Sequence, residues 1–110
     1  MGFFTQHLND VAVVSVDGEL TVNNRGDLKE FVLERLHDGE RRFLFDFETT
    51  SYIDSAGLGV LVSLSKKIRE ENGRLRLAGL NQDLRTLFEL TRLDTLFQIS
   101  DSRAAALAEL

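Results

Sequence analysis

The residues best placed to do chemistry are Asp54 and Ser55, which stand together between a strand-like run and a helix-like run. Apolar residues at Leu58, Leu61, Val62 and Ile68 follow at helical spacing, with Ser65 on the same face. This spacing predicts that Ser55 begins a helix, where free backbone N–H groups and the positive end of the helix dipole tolerate a phosphate. The Ser55 hydroxyl is therefore a candidate for regulatory phosphorylation.

The same hydroxyl has two other interpretations. It could be an ordinary residue of the first helical turn with no regulatory role, or the nucleophile of a serine esterase on a strand-to-helix turn. The esterase turn needs glycine two residues before and two after the serine. Gly57 is present, but Ile53 occupies the other place, and only His7 and His37 could supply a general base. The enzyme interpretation is weakened by both observations, and we expect no catalysis.

Asp54 and the glycines that follow Ser55 each allow two roles. Asp54 could cap the helix by accepting its N–H groups, or it could assist proton removal and cation placement when Ser55 is phosphorylated. Gly57 and Gly59 could let the helix pack closely on the sheet, or could let a partner's backbone approach. The sequence leaves both alternatives open.

Signals for bound cofactors and metals are missing from the sequence. The segment Gly57-Leu58-Gly59 lacks the third glycine of a dinucleotide-binding loop. No glycine is followed directly by Lys and then Ser or Thr, as a phosphate-binding loop requires. The carboxylates Asp46, Glu48 and Asp54 do not have the spacing of a calcium loop. We therefore expect no cofactor and no metal.

Strand and helix patterns alternate along the chain. Phe3 to His7 and Val11 to Val16 read as strands joined by a hairpin turn at Asn9-Asp10, and Asp17-Gly18 then breaks the strand pattern. Three further strands and four helices follow. The strands are centred on Phe43–Phe47, on Leu75, Leu77 and Ala78, and on Phe97–Ile99. The first helix carries Leu28, Phe31, Val32 and Leu36, and the second consists of the residues after Ser55. The third helix carries Leu80, Leu84, Leu87 and Phe88, and the fourth carries Ala104, Leu107 and Ala108.

Boundary residues support the four helices. Asn24, with Asp27 three residues later, predicts the start of the first helix, and His37-Asp38-Gly39 predicts its end. Asn72-Gly73 predicts the end of the second helix, the third ends near Leu90, and Ser100 or Asp101 is expected to cap the last. The order predicts a single α/β domain over residues 1–110, with about four helices on a mixed, mostly parallel sheet of about four to five strands opened by the hairpin.

Composition narrows the classes of partner. The formal net charge of −5 and the pI near 5.0 argue against nucleic acid or an anionic membrane as the main partner and favour basic protein partners. There is no cysteine, so disulfide and thiol chemistry are excluded. The first residues lack a signal-peptide pattern, Gln6 stands where a myristoylation signal has Ser or Thr, and no window has the roughly 18 apolar residues of a membrane span. We expect a cytoplasmic protein.

The segment Asp54-Ser55-Ala56-Gly57-Leu58-Gly59, preceded by a strand ending in Tyr52-Ile53, resembles the signature of bacterial anti-sigma factor antagonists, the STAS domain family. The similarity extends over almost the whole chain. It includes Gly18-Glu19-Leu20, Leu28, Phe45-Asp46-Phe47, Leu84 to Thr91 and Leu93.

This resemblance implies a partner-switching role. In the family, the serine at the position of Ser55 is phosphorylated by a serine kinase of the GHKL type, often itself the anti-sigma factor, and is restored by a PPM-type phosphatase. The unphosphorylated antagonist binds the kinase and releases its sigma factor or other client, and phosphorylation abolishes this binding. An interaction module of the same fold in which Ser55 is never modified remains an alternative.

The expected docking face joins the start of the Ser55 helix to the loop before the first helix, with Leu58 or Val60 as apolar anchors. The candidate partner-binding residues are Glu19, Thr21, Asn24, Asp54, Ser55, Ala56, Gly57, Leu58, Gly59 and Val60.

Two positions depart from the family pattern. Thr21 stands where many relatives carry aspartate, and Arg92 stands where they often have glycine, so partner choice could differ from that of the relatives.

Overall fold

The computed structural model describes residues 2–110, which form one mixed sheet with four α-helices. The strands are β1 (Gly2–Leu8), β2 (Val11–Leu20), β3 (Arg42–Asp46), β4 (Thr50–Ile53), β5 (Arg74–Ala78) and β6 (Gln98–Ser100). The helices are α1 (Arg25–His37), α2 (Ser55–Glu70), α3 (Gln82–Leu90) and α4 (Arg103–Glu109), with a short 3₁₀ turn at Leu93–Thr95. The predicted α/β class, mixed sheet and four helices are confirmed.

The sheet has the strand order β1-β2-β3-β5-β6, and β4 pairs with the last part of β2. Among the strands of residues 2–110, only the β1–β2 pair is antiparallel, as the sequence predicted for the opening hairpin. Asn9 and Asp10 at its turn have φ of 52° and 64°, the left-handed conformation that two-residue hairpin turns require. The parallel strands therefore all end at one edge of the sheet, which we call the carboxyl edge.

The second strand is longer than its sequence pattern predicted. Asp17-Gly18 does not end β2; the strand continues to Leu20 through a register shift between Gly18 and Glu19. Gly18 has a φ of 92°, which glycine adopts without strain, so the break in the pattern marks an irregularity within the strand. The extended part of β2 is the segment that pairs with β4.

The strand that ends at Tyr52-Ile53 is an element of its own. The chain leaves β3 after Asp46, turns through Phe47 to Thr49, and returns to β2 as β4. The Thr50 hydroxyl donates a 2.6 Å hydrogen bond to the Val16 carbonyl and anchors this return. The described part of the chain therefore contains six strands, one more than the five that periodicity distinguished.

Apolar residues fill both faces of the sheet. The larger cluster includes Leu28 of α1, Leu61 of α2 and Phe88 of α3 against β2 and β3, and all three side chains are buried. A smaller cluster on the other face contains Ala106 of α4 and Leu44 of β3. The pattern of Phe43–Phe47, apolar at every position except Asp46, reflects this burial on two faces.

Two predicted caps differ in the structure. Asn24 precedes α1 as expected, but its side chain accepts the Thr21 N–H and donates to the Glu19 carbonyl, so it orders the preceding loop and does not cap the helix. The cap of α4 is Ser102, whose hydroxyl accepts the Ala105 N–H. The expectation of Ser100 or Asp101 was wrong because β6 extends to Ser100 and delays the helix.

All four helices begin at the carboxyl edge, because each follows a parallel strand that ends there. No helix within residues 2–110 is long and apolar enough to cross a membrane. The edge brings together the starts of α1 and α2, where the sequence placed its candidate residues.

Candidate functional site

Ser55 is the first residue of α2 and is exposed at the carboxyl edge. The preceding strand β4 buries Ile53 in the core, and α2 buries Val60, Leu61, Leu64 and Ile68. Because both elements are held by apolar packing, the turn between them is fixed with the Ser55 side chain facing solvent. This placement agrees with the predicted helix start.

Asp54 is the N-cap of α2 and also binds the neighbouring loop. One carboxylate oxygen accepts the Gly57 N–H at 2.7 Å, and the other accepts the Val22 N–H at 3.0 Å. The Asp54 N–H donates to the Leu20 carbonyl. The hydrogen bond from the Gly57 amide is the main reason that the pKa of Asp54 lies below its ordinary value of 3.8. Desolvation acts in the opposite direction, but the Val22 and Ala56 amides and the Arg25 charge also lower the pKa. The carboxylate is therefore ionised at neutral pH.

The loop between β2 and α1 is ordered by its own hydrogen bonds. The Thr21 hydroxyl accepts the Asn23 N–H, and the Thr21 carbonyl accepts the N–H groups of Asn24 and Arg25. Thr21 is only 9% exposed, whereas Glu19 is exposed and Asn24 is half-buried. Thr21 is thus a structural residue with little surface, whereas Glu19, near the end of β2, offers an exposed charge.

The two glycines of α2 occupy different environments. A Cβ built at Gly57 would lie 2.4 Å from the Leu20 carbonyl oxygen and 2.9 Å from Cγ2 of Ile53. At Gly59, no atom outside the helix lies within 4 Å of the same position. Close packing on the sheet therefore explains Gly57, while exposed Gly59 leaves open space that a partner's backbone could occupy.

The remaining candidates on α2 divide by burial. Val60 is 5% exposed and belongs to the core, so it is not available as an apolar anchor. Leu58 is half-buried at the helix surface, and Ala56 is likewise half-buried. Leu58 is the anchor candidate that the fold leaves accessible.

Three residues beside Ser55 were not among the sequence-based candidates. Val22 is 59% exposed next to Asp54, and Tyr52 is 52% exposed on β4, opposite Glu19 in the strand register. Arg25, the first residue of α1, is exposed and acts electrostatically on Asp54. Alternation with buried Ile53 could have indicated that Tyr52 faces outward, but the proximity of Val22 and Arg25 arises only from the fold.

Neither histidine approaches Ser55. His7 lies in β1 near its far end, where its imidazole contacts Glu40 at 2.9 Å, and His37 is the last residue of α1. Both histidines lie towards the edge of the sheet opposite the carboxyl edge, where Ser55 lies. The strand β2, which runs from one edge to the other, is roughly 33 Å long. The serine–histidine pair that an esterase needs is not formed within the described chain. Residues 2–110 also contain no group of three His, Cys, Asp or Glu side chains placed to hold a metal ion.

Comparison with known proteins gives a consistent family assignment. Residues 4–106 match the family model of the STAS domain. The anti-sigma-B factor antagonist of Staphylococcus aureus is 33% identical over 88 residues, which cover 80% of this chain and 82% of the relative.

Solved structures give the same fold. A Thermotoga maritima protein assigned by name to the anti-sigma factor antagonists superposes with a TM-score of 0.92 at 28% identity, covering 97% of this chain and 92% of that protein. The Bacillus cell fate determinant SpoIIAA in its phosphorylated form superposes with a TM-score of 0.76 at 18% identity, covering 98% of both chains.

Proposed function

Because this chain belongs to the STAS domain family, we propose that it is an anti-sigma factor antagonist controlled by phosphorylation of Ser55. The unphosphorylated form binds a serine-kinase anti-sigma factor, or an equivalent switch kinase, and thereby releases the client of that kinase. Phosphorylation of Ser55 abolishes the complex. In this role the chain is a substrate and a ligand, not a catalyst.

The observation that carries this proposal is the surface around Ser55. The exposed hydroxyl lies near exposed Val22 and Tyr52 and half-buried Leu58, with the Asp54 carboxylate beside it. Exposed aromatic and aliphatic side chains next to fixed polar groups are typical of a protein–protein interface. A kinase docked here would have the hydroxyl it modifies inside its own binding surface.

The charge at this surface explains how one phosphate could end binding. A phosphoserine adds about −1.5 to −2 charges next to the ionised Asp54 and within the same exposed region as Glu19. A partner that covers Val22 and Tyr52 would have to desolvate that charge. A repulsion of about 3 kcal/mol weakens affinity roughly a hundredfold, so no refolding is needed.

The expected partners follow from the family resemblance and the charge. The kinase is proposed to be of the GHKL type, and a PPM-type phosphatase is proposed to restore the hydroxyl. The partner surface must accommodate the acidic residues Glu19 and Asp54 of the docking face but not a further, doubly charged group beside them. The similarity to SpoIIAA, for which a phosphorylated form has been solved, supports a phosphorylation step.

The test begins with the cognate kinase, ATP and the full chain. Mass spectrometry is expected to locate one phosphate on Ser55, and none after Ser55→Ala. In pull-downs with the kinase, Ser55→Ala should bind like the wild type, while Ser55→Asp should bind about tenfold or more weakly because it places a negative charge at the interface.

A matched control is Ser63→Ala, which removes another exposed hydroxyl from α2 two turns away. This variant should be phosphorylated and bound like the wild type. Phosphate on a residue other than Ser55, or equal binding by wild type, Ser55→Ala and Ser55→Asp, would contradict the switch and favour an interaction module that is never modified.

A further inference from the structure

The start of α2 offers fewer free donors to a phosphate than its position suggests. The Asp54 carboxylate already accepts the Gly57 N–H at 2.7 Å, and the neighbouring Ala56 amide acts on the same carboxylate. A second anion on Ser55 therefore competes with Asp54 for the first-turn amides. A positively charged group from another element would therefore stabilise the phosphate where these amides cannot.

Arg25 is placed to be that group. The Val22 N–H donates to Asp54 at 3.0 Å, which binds the β2–α1 loop to the start of α2. Three residues later the Arg25 N–H donates to the Thr21 carbonyl at 2.9 Å, so the backbone of Arg25 is fixed beside the same loop. The two helix starts that carry Arg25 and Ser55 are thus connected through Asp54.

The Arg25 guanidinium is also uncommitted in the described structure. None of the hydrogen bonds or ion pairs seen in residues 2–110 engages its side chain, which is exposed. Two other arginines near the carboxyl edge are occupied: Arg103 binds Asp46, and Arg85 binds Asp101. The Arg25 charge acts on the Asp54 carboxyl group without forming a close pair with it.

We propose that Arg25 binds the phosphate of phosphorylated Ser55, forming an intramolecular ion pair that the unphosphorylated chain lacks. This inference rests on the proposed function only in taking Ser55 as the phosphorylated residue. A guanidinium can bind two phosphate oxygens at once, and its exposed side chain is free to turn from Asp54 towards Ser55. The modification would then remove a hydroxyl and a free cation from the docking face together.

The ion pair can be measured without a kinase. Phosphoserine is incorporated at position 55 during synthesis of the full chain, and its second ionisation is followed by phosphorus NMR between pH 4 and 8. Because a nearby cation favours the dianion, Arg25→Gln should raise the second pKa of the phosphate by a few tenths of a unit, up to about 0.7. Arg25→Lys keeps the charge but loses the two-point contact, so its phosphate pKa should lie between those of the wild type and Arg25→Gln.

The matched control is Lys29→Gln, which removes a cation of equal charge from the exposed face of α1 one turn further along. It should leave the phosphate pKa close to that of the wild type. The carboxylates of Asp54 and Glu19 oppose the effect of Arg25 but are the same in every variant. Thermal unfolding of the unphosphorylated Arg25→Gln chain checks that the fold is kept.

Equal phosphate pKa values in the wild type and Arg25→Gln, or an equal shift in Lys29→Gln, would overturn the assignment of Arg25. That result would leave the proposed switch intact, because kinase binding is measured separately. If instead the kinase does not modify Ser55, the proposed function fails whatever the titration shows.

Discussion

At the scale of single residues, Asp54 has two structural tasks that depend on its charge. One oxygen caps α2 through Gly57, and the other holds the β2–α1 loop through Val22, 32 positions away in the chain. The capping role predicted from the sequence is confirmed. A role of Asp54 in assisting phosphorylation remains a prediction.

The lowered pKa of Asp54 predicts a pH dependence of stability. The folded-state pKa lies below the ordinary value of 3.8, so this carboxylate stabilises the fold fully above that pH and loses its contribution as pH falls through the lowered pKa. Asp54→Asn keeps one accepting oxygen and so only one of the two bonds to Gly57 and Val22, and because it does not titrate it lacks this dependence. Urea unfolding at pH 7, 4 and 3 should therefore show a smaller loss of unfolding free energy in the variant than in the wild type. Parallel losses in the two proteins would contradict this assignment.

The two departures from the family pattern have local explanations in the structure. The Thr21 hydroxyl accepts the N–H two residues on, a bond that an aspartate side chain could also accept, so the turn is kept while a charge is lost. Arg92 has a φ of 64°, a left-handed conformation that glycine adopts without strain. The glycine that many relatives have there fits a requirement of the backbone.

Among the elements, α2 packs so closely against the end of β2 at Gly57 that no side chain fits between them. Gly57→Ala would place a methyl group 2.4 Å from the Leu20 carbonyl oxygen, and the backbone would have to move. We expect a loss of about 2–3 kcal/mol in the free energy of unfolding, measured by urea denaturation. Because the displaced segments carry Ser55 and the β2–α1 loop, partner binding should weaken as well.

Gly59→Ala provides the matched control on the same helix. Its Cβ would meet no atom outside the helix within 4 Å, so the variant should be more stable by about 0.5–1 kcal/mol through higher helix propensity. Weaker kinase binding by this more stable variant would favour close approach of a partner's backbone at Gly59. Equal destabilisation by both alanines would show that packing against β2 does not distinguish the two glycines.

At the scale of the whole molecule, one arginine joins α4 to three strands. The Arg103 guanidinium donates to Asp46 at 2.9 Å, to Gln6 at 2.7 Å and to Ser15 at 2.8 Å. Asp46 is 3% exposed, and the Arg103 guanidinium is the cation that pairs with its buried carboxylate. Local patterns in the sequence contain no signal that pairs Arg103 with Asp46, because the two residues are 57 positions apart.

Removing this arginine should destabilise the whole fold. Arg103→Met leaves the buried Asp46 carboxylate without its cation, and the expected loss in the free energy of unfolding is about 2–4 kcal/mol. Adding Asp46→Asn to the same chain removes the uncompensated charge and should recover part of that loss. Urea denaturation of both variants tests this, and a double variant no more stable than Arg103→Met would count against the ion pair.

Local patterns in the sequence predicted most of the elements. Periodic apolar residues identified the four helices and five of the strands, and Asn9-Asp10 identified the hairpin turn. The patterns failed where pairing with a distant segment decides the outcome. The register shift at Gly18 and the short strand β4 depend on pairing between β2 and β4, which are far apart in the chain. The cap at Ser102 depends on where β6 ends.

Periodicity, turn residues and the family motif are local signals, and they were enough to predict the α/β fold and the position of Ser55 at a helix start. The surroundings of that serine, in contrast, arise from the packing of distant segments. This packing buried Val60 and most of Thr21, exposed Val22 and Tyr52, and brought Arg25 beside Asp54. These placements depend on where β2, β4 and two helix starts meet at the carboxyl edge, and local sequence patterns carry no information about such long-range contacts.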